Sequence, residues 1–403
     1  MKRVYFLFLI LLFCHYPLRE KRAPEIFKPS FDESFSPLSS IILEWEKIND
    51  AINYHFLLDD TNTFKTPIID TIISENSLTL KELKEGNYYF KVRYLDKDSI
   101  YSQWSEVRRF RIRFLNFLKS FKTEGYPNDI LFYNNYLLVA GSQVGLEIFN
   151  ENDKIKSFSD RRNILYGLGI DTLRNLLYLA YGEKELSVLN LNFLPDTIYE
   201  INSLSWPIAY AYDLSILNDT IVVVAADKQF LVVNVKDTSF LYLINQIYFP
   251  SSLRGCATFN NLIFLACEQE GVYIYQLADT VAFLSKIDTP NNARDLVGND
   301  SLLFVADGRG ISIIDIKDPS RPIFKKEREI SGYCKKLFLK DSLLFAACGS
   351  GGLKVYKIIS EPDYLKILSE IKFSDCRTVF VDKNYQIYVG TRDEGILIYQ
   401  INF

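Results

Sequence analysis

The sequence predicts an all-β protein, a seven-bladed β-propeller preceded by a smaller β-sandwich. Three observations lead there. A short apolar strand ending in a small residue recurs seven times, as LLVA (137–140), LYLA (177–180), VVVA (222–225), IFLA (263–266), LFVA (303–306), LFAA (344–347) and IYVG (387–390). The closing residues are Ala140, Ala180, Ala225, Ala266, Ala306, Ala347 and Gly390, spaced by 40, 45, 41, 40, 41 and 43 residues. A period near forty holding only strand-type patterns is that of a propeller, one four-stranded blade per repeat. The chain also stops three strands into its seventh copy.

Each repeat resolves into the same succession. A polar turn, usually with glycine, follows the small residue, and a second apolar strand follows the turn: GLEIF (145–149), ELSVL (185–189), FLVVN (230–234), GVYIY (271–275), GISII (310–314), GLKVY (352–356) and GILIY (395–399). Glycine supplies the positive φ of a tight turn. Ahead of each small-residue strand lies a shorter strand and a polar pair that reads as a hairpin turn. These pairs are Asn134-Asn135, Asn218-Asp219, Asn260-Asn261, Asn299-Asp300 and Lys340-Asp341. The strand missing from the seventh copy is expected from upstream. Residues 117–121 (FLKSF) mimic the outer strand of blade four, 283–287 (FLSKI), so the segment 115–123 is predicted to close the ring and remove two exposed edges.

The blade pattern is most complete in Asp295-Leu296, Ser301–Asp307, Gly310–Asp315 and Asp318-Pro319. It resembles the LVIVD-repeat family of bacterial β-propellers over residues 115–403, about three-quarters of the chain. Blades two and three depart from it, with Glu185 and Phe230 in place of the glycine, and blade six lacks the terminal Asp-Pro. The resemblance implies a surface-exposed binding or scaffolding module, and it speaks to fold more than to function.

Residues 24–113 form the smaller domain. Trp45 lies on an early strand, AINYHF (51–56) alternates, and in 83–93 (LKEGNYYFKVR) the residues Tyr88, Phe90 and Val92, with Tyr94, fall on one face. The leucine-glycine-tyrosine turn opening that strand resembles the corner of a fibronectin type III domain, and about 90 residues suits such a sandwich. Trp45 and Trp104 are expected in core and edge packing rather than in a ligand cage.

Lys2 and Arg3 precede ten apolar residues, Val4–Phe13, too short to span a bilayer and suited to a signal peptide over residues 1–14. Cys14 then stands where a lipoprotein signal is cleaved and lipidated, although Phe13 is large where such sites carry a small residue. Simple secretion and an uncleaved N-terminal anchor are the alternatives. Either way the mature chain is predicted to lie outside the cytoplasm with no membrane span. The net charge is −4, from 46 basic and 50 acidic residues, and loss of Lys2 and Arg3 makes it −6. An acidic balance argues against nucleic acid or an anionic membrane surface as partner.

Catalytic motifs are sparse. Both histidines, His15 and His55, precede the propeller, which excludes histidine as base or metal ligand there. No cofactor motif occurs, and no Cys-x-x-Cys. Five cysteines fall in blades four, six and seven: Cys256, Cys267, Cys334, Cys348 and Cys376. A three-residue turn over 340–342 would place Cys334 opposite Cys348 for a disulfide; buried thiols are the alternative. Four aspartates, Asp129, Asp213, Asp295 and Asp375, open the innermost strands of blades one, three, five and seven and are expected at one channel mouth. There they would hold a cation or polar ligand, or accept backbone N–H groups, or be neutralised by Lys335, Lys336 and Arg377. Arg161, Arg162 and Arg254 read as surface charges. The expected function is therefore an exported, non-catalytic binding or scaffold protein for a protein or saccharide ligand, needing no cofactor. The alternative is a propeller enzyme acting on a saccharide through mouth carboxylates.

Overall fold

The computed structural model describes residues 21–158, 164–182, 185–205 and 210–403. The predicted leader, Cys14, Arg161 and Arg162 lie outside the described residues. All regular structure among the described residues is β-strand, with no helix long and apolar enough to cross a membrane. The chain divides into two compact units, one ending at Arg113 and the other running from Phe114 to Asn402.

The first unit packs two sheets on one core. Strands Ile26–Lys28, Ile41–Trp45 and Ser77–Leu80 form a three-stranded sheet. Strands Glu33–Phe35, Arg108–Ile112, Gly86–Asp96, Ala51–Asp59 and Ile69–Ile73 form a five-stranded one, in that order. Tyr88, Phe90, Val92 and Tyr94 are all buried, so the alternation in Gly86–Asp96 turns one face inward. Trp45 is fully buried, stacked on Phe56 and edge-on to Tyr54. Trp104 is instead half-buried beside His55, where Lys91 and Arg93 sit over its ring. The Tyr88 hydroxyl donates to the Lys84 carbonyl, 3.0 Å away, which ties the strand to the turn before it.

The second unit holds, among the described residues, seven four-stranded antiparallel sheets. The first six each take four consecutive strands. Sheet one, for example, runs Asp129–Tyr133, Tyr136–Ala140, Leu146–Phe149 and Lys154–Phe158. Each recurrent small-residue strand is second in its sheet and almost wholly buried, because both of its faces are covered by neighbouring sheets. The first strand of every sheet lies against the first strand of the next, and that of the last sheet, Cys376–Val381, returns to Asp129–Tyr133. In the last sheet, Gly395–Ile401 pairs antiparallel with Leu115–Phe121, which supplies the outermost strand from upstream. Phe121 is buried there against Phe149 and faces Ile396 in register. Gly395 has φ 78°, and a Cβ on it would meet the Phe121 carbonyl at 2.2 Å, so glycine permits this close approach.

The hairpin turns are only partly where the sequence places them. Asn134-Asn135 and Asn260-Asn261 each take positive φ at both positions, as a two-residue hairpin requires. In sheets three and six the turn falls one residue later than expected, on Asp219-Thr220 and Asp341-Ser342, because Asn218 and Lys340 stay in the ladder opposite Ile221 and Leu343. That shift bears on the cysteines. Lys336 then faces Ala347, so Cys334 falls out of register with Cys348. The two thiols still touch, yet all five cysteines of this unit are buried and free, the alternative to a Cys334–Cys348 bridge that the sequence left open. Burial pushes the Cys256 thiol well above its usual range and Cys267 up to about 12. A maleimide is therefore expected to leave these five unlabelled in the native protein and to label all of them after denaturation. Rapid native labelling would contradict this burial.

Candidate functional site

One register position organises the mouth. The residue facing the small closing residue across the first hairpin is, in sheet order, Asp129, Gly167, Asp213, Gly255, Asp295, Lys336 and Thr378. Because the first strands lie side by side, these seven positions form one layer. Aspartate and glycine alternate in it for a steric reason. A Cβ on Gly167 would come within 3.1 Å of the Asp213 backbone, and one on Gly255 within 2.9 Å of the Asp295 backbone.

The three carboxylates of this layer stitch neighbouring sheets. Asp129 Oδ2 accepts the Leu168 N–H at 2.9 Å, and its Oδ1 accepts the Ile130 N–H at 2.9 Å. Asp213 Oδ2 accepts the Cys256 N–H at 3.1 Å, and Asp295 Oδ2 the Leu337 N–H at 2.6 Å. The remaining oxygens turn to Lys336, whose Nζ lies 3.3 Å from Asp213 Oδ1 and 3.4 Å from Asp295 Oδ1. An ammonium thus stands where a bound cation was expected. Among the described residues no group of three or more His, Cys, Asp or Glu side chains is placed to hold a metal.

Burial pushes the Asp129 and Asp295 carboxyls up, Asp295 to about 6, against the opposing pull of Lys336. Burial also disfavours the Lys336 charge, yet Asp213, Asp295 and Asp129 together hold its pKa well above the ordinary value. Asp375 belongs to a different layer. It precedes its strand and pairs with Lys335 and, at 3.4 Å, with Arg377 Nη1. The four aspartates expected as one group are therefore three plus one.

The residue preceding each layer position forms a second ring: Asn128, Tyr166, Tyr212, Arg254, Arg294, Lys335 and Arg377. All seven line a cavity of about 450 Å³, joined by Asp295, Lys336 and Tyr333. The ring is asymmetric. Tyr166 and Tyr212 meet edge to face on one arc, with centroids 5.1 Å apart, and four cations occupy the sheets that follow. Arg254 lies over Tyr212 at 4.2 Å and donates to Glu268 Oε1 at 2.6 Å; Arg294 donates from Nε to the Tyr333 hydroxyl at 2.8 Å. Arg254, read from sequence as a surface charge, is half-buried at this rim. Aligning the repeats on their small residues finds Asn128, Arg254, Arg294 and Lys335, whose hairpins share one length, but not Tyr166, Tyr212 or Arg377, whose hairpins are longer.

A larger cavity of about 960 Å³ opens between sheets one and seven. Several of its polar side chains serve their own turns: Asn150 accepts from Asn152 and Asp153, and Asp382 from Asn384 and Gln386.

No family model and no curated protein matches the chain. Among solved structures it is similar to the WD40 β-propeller domain of Doa1, with a TM-score of 0.58 and 14% identity over 71% of this chain and 97% of that one. The larger unit is a β-propeller. At this identity the likeness concerns the fold alone, a fold that commonly serves as an interaction scaffold.

Proposed function

We propose that the chain is an exported, non-catalytic binding protein whose propeller has seven blades and binds ligand at the mouth formed by the two rings. The observation that carries this reading is the convergence of one side chain from every sheet, Asn128, Tyr166, Tyr212, Arg254, Arg294, Lys335 and Arg377, on a single cavity of about 450 Å³. Positioned side chains on a rigid scaffold are the usual form of a recognition site. The carboxylates that an enzymatic reading would use are occupied: each accepts a backbone N–H, and Lys336 stands between two of them. The seven sheets, the return of the last first strand to the first, and the upstream outer strand support the closed seven-bladed ring.

In the smaller unit, the two-sheet core around Trp45 and the Tyr88 hydroxyl bond to Lys84 support a fibronectin type III-like domain acting as spacer or docking module. The repeat pattern supports kinship with LVIVD-repeat propellers. The basic-then-apolar start supports export, with lipidation at Cys14 as its anchored form.

Two measurements test this. A glycan and peptide array, read alongside chromatography of the incubated ligands, should show binding without new products. Hydrogen exchange should place the protection at Tyr212, Arg254 and Arg294. Product accumulation, or protection confined to outer strands, overturns the reading. Mass spectrometry of the mature N-terminus should find the leader gone, with a diacylglyceryl group on Cys14 if the chain is anchored; an intact Met1 refutes export.

A further inference from the structure

We infer that the propeller mouth is selective for an oxyanion carried on a compact ring, the chemistry of a uronic acid or a phosphorylated sugar. This rests on the mouth being the binding face and adds the class of its ligand.

Charge gives the first argument. The second ring contains four cations and no acid. Two of the cations have close carboxylate partners, Arg254 with Glu268 and Lys335 with Asp375. The other two do not. Among the described residues, the Arg294 side chain's one hydrogen-bond partner is the Tyr333 hydroxyl, taken by Nε, which leaves the rest of the guanidinium fork for a ligand. Arg377 meets Asp375 only at 3.4 Å, gives Nη2 to Asn128 Oδ1 at 2.8 Å, and keeps Nε buried without a hydrogen-bond partner. A half-buried guanidinium with unused donors is costly unless an acceptor arrives, and a carboxylate or phosphate matches its planar fork.

The deeper layer sets three carboxylates against one ammonium, with Asp295 and Lys336 both lining the cavity, so the attraction for an anion rests on the cations of the second ring. Its three carboxylates hold backbone N–H groups and surround Lys336, which itself lines the cavity. The side chain of Lys336 remains 23% exposed and lines the cavity beside Asp295.

Shape gives the second argument. The cations follow one another on sheets four to seven, while Tyr166 and Tyr212 hold the arc of sheets two and three. A ligand seated by its anionic group against Arg294 and Arg377 would rest its body on tyrosine faces, which suit the C–H face of a sugar ring. The volume of about 450 Å³ suits one or two such rings. The asymmetry also argues against a bare inorganic ion, which has no use for the aromatic arc.

Isothermal titration at low salt with glucuronate, glucose 6-phosphate, glucose and inorganic phosphate tests the inference. One or both sugar anions should bind the full-length protein, and the stronger of the two identifies the source of the oxyanion. Glucose should bind at least about tenfold more weakly, and so should phosphate alone. Arg294→Gln and Arg377→Gln, checked for unchanged melting, should each weaken the sugar anion about tenfold, with Arg377→Lys recovering part of the loss. Tyr212→Phe should keep affinity and Tyr212→Ala lower it. Equal binding of glucose overturns the anionic selectivity while leaving the mouth as a binding face. Equal binding of phosphate, or no binding of either sugar anion tighter than about 1 mM, overturns the inference itself. Indifference of affinity to both arginine substitutions does the same.

Discussion

Replacing Lys336 with methionine is expected to cost about 3 kcal/mol of stability at neutral pH, with part of that loss recovered near about pH 5. Methionine keeps most of the packed volume and removes the one ammonium that lies between Asp213 and Asp295 and acts on Asp129. Three buried carboxylates then face one another without a counter-charge. Breaking a buried pair by deleting one partner costs roughly 3–5 kcal/mol, and the low end applies because Lys336 is 23% exposed. The pH dependence has a definite sign. The Asp295 carboxyl is already raised by burial to about 6 in the folded protein. Its unfolded value lies near about 3.9. The fold therefore binds this proton more tightly than the unfolded chain, and the associated stability, full below about pH 4, is lost as pH rises through about 6. Without Lys336 the Asp129 and Asp295 carboxyls rise further, so the variant's deficit grows with pH over that window and shrinks as they protonate. Chemical denaturation of both proteins across the window measures this. A deficit that does not change with pH would mean that packing, not charge, holds Lys336 in place.

The second large effect is expected at the seam. Deleting residues 115–121 removes the whole outer strand of the last sheet and exposes the edge of Gly395–Ile401, an uncharged apolar run. Such an edge is a template for intermolecular pairing, so the deletion should melt lower and elute as aggregate. Because a deletion is drastic, Phe121→Ala provides a finer measure. Its ring is buried against Phe149 in the core that joins the first and last sheets, and the substitution should cost about 3 kcal/mol while the protein stays monomeric. Size-exclusion chromatography with light scattering and thermal melts report both. A monomeric deletion melting like the parent would show that the seam strand contributes nothing to closure.

The architecture was legible because its cause is local. A strand such as LFVA, with both faces buried, must be apolar throughout and must end small where the next first strand crosses close by, so the same signal recurs in every sheet. The outer strand supplied by 115–121 was legible for a related reason: FLKSF shares its pattern with FLSKI, and both strands are outermost in their sheets. The candidate site was legible only in part. Asp129, Asp213 and Asp295 do share a layer, but Asp375 falls outside it because it stands ahead of its strand, with Thr378 rather than an aspartate facing Gly390. The one-residue displacement of the turn at Asp341-Ser342 is invisible in a run where Lys340, Asp341 and Ser342 are all plausible turn residues. Yet it sets which residue faces Ala347, and so puts Lys336 at the cavity.

By itself, then, the sequence determined that this is a repeat of short buried strands, roughly where they lie along the chain, and which segment is left over to complete the last sheet. Those properties follow from burial and turn chemistry within a few residues. The tertiary structure alone decided that Lys336 would meet aspartates from sheets three and five, 123 and 41 positions away in the chain. It alone decided that Tyr166, Tyr212, Arg254, Arg294 and Arg377 would share one cavity. Convergence on an axis arises from the accumulated rotation between successive sheets, and no single repeat encodes it.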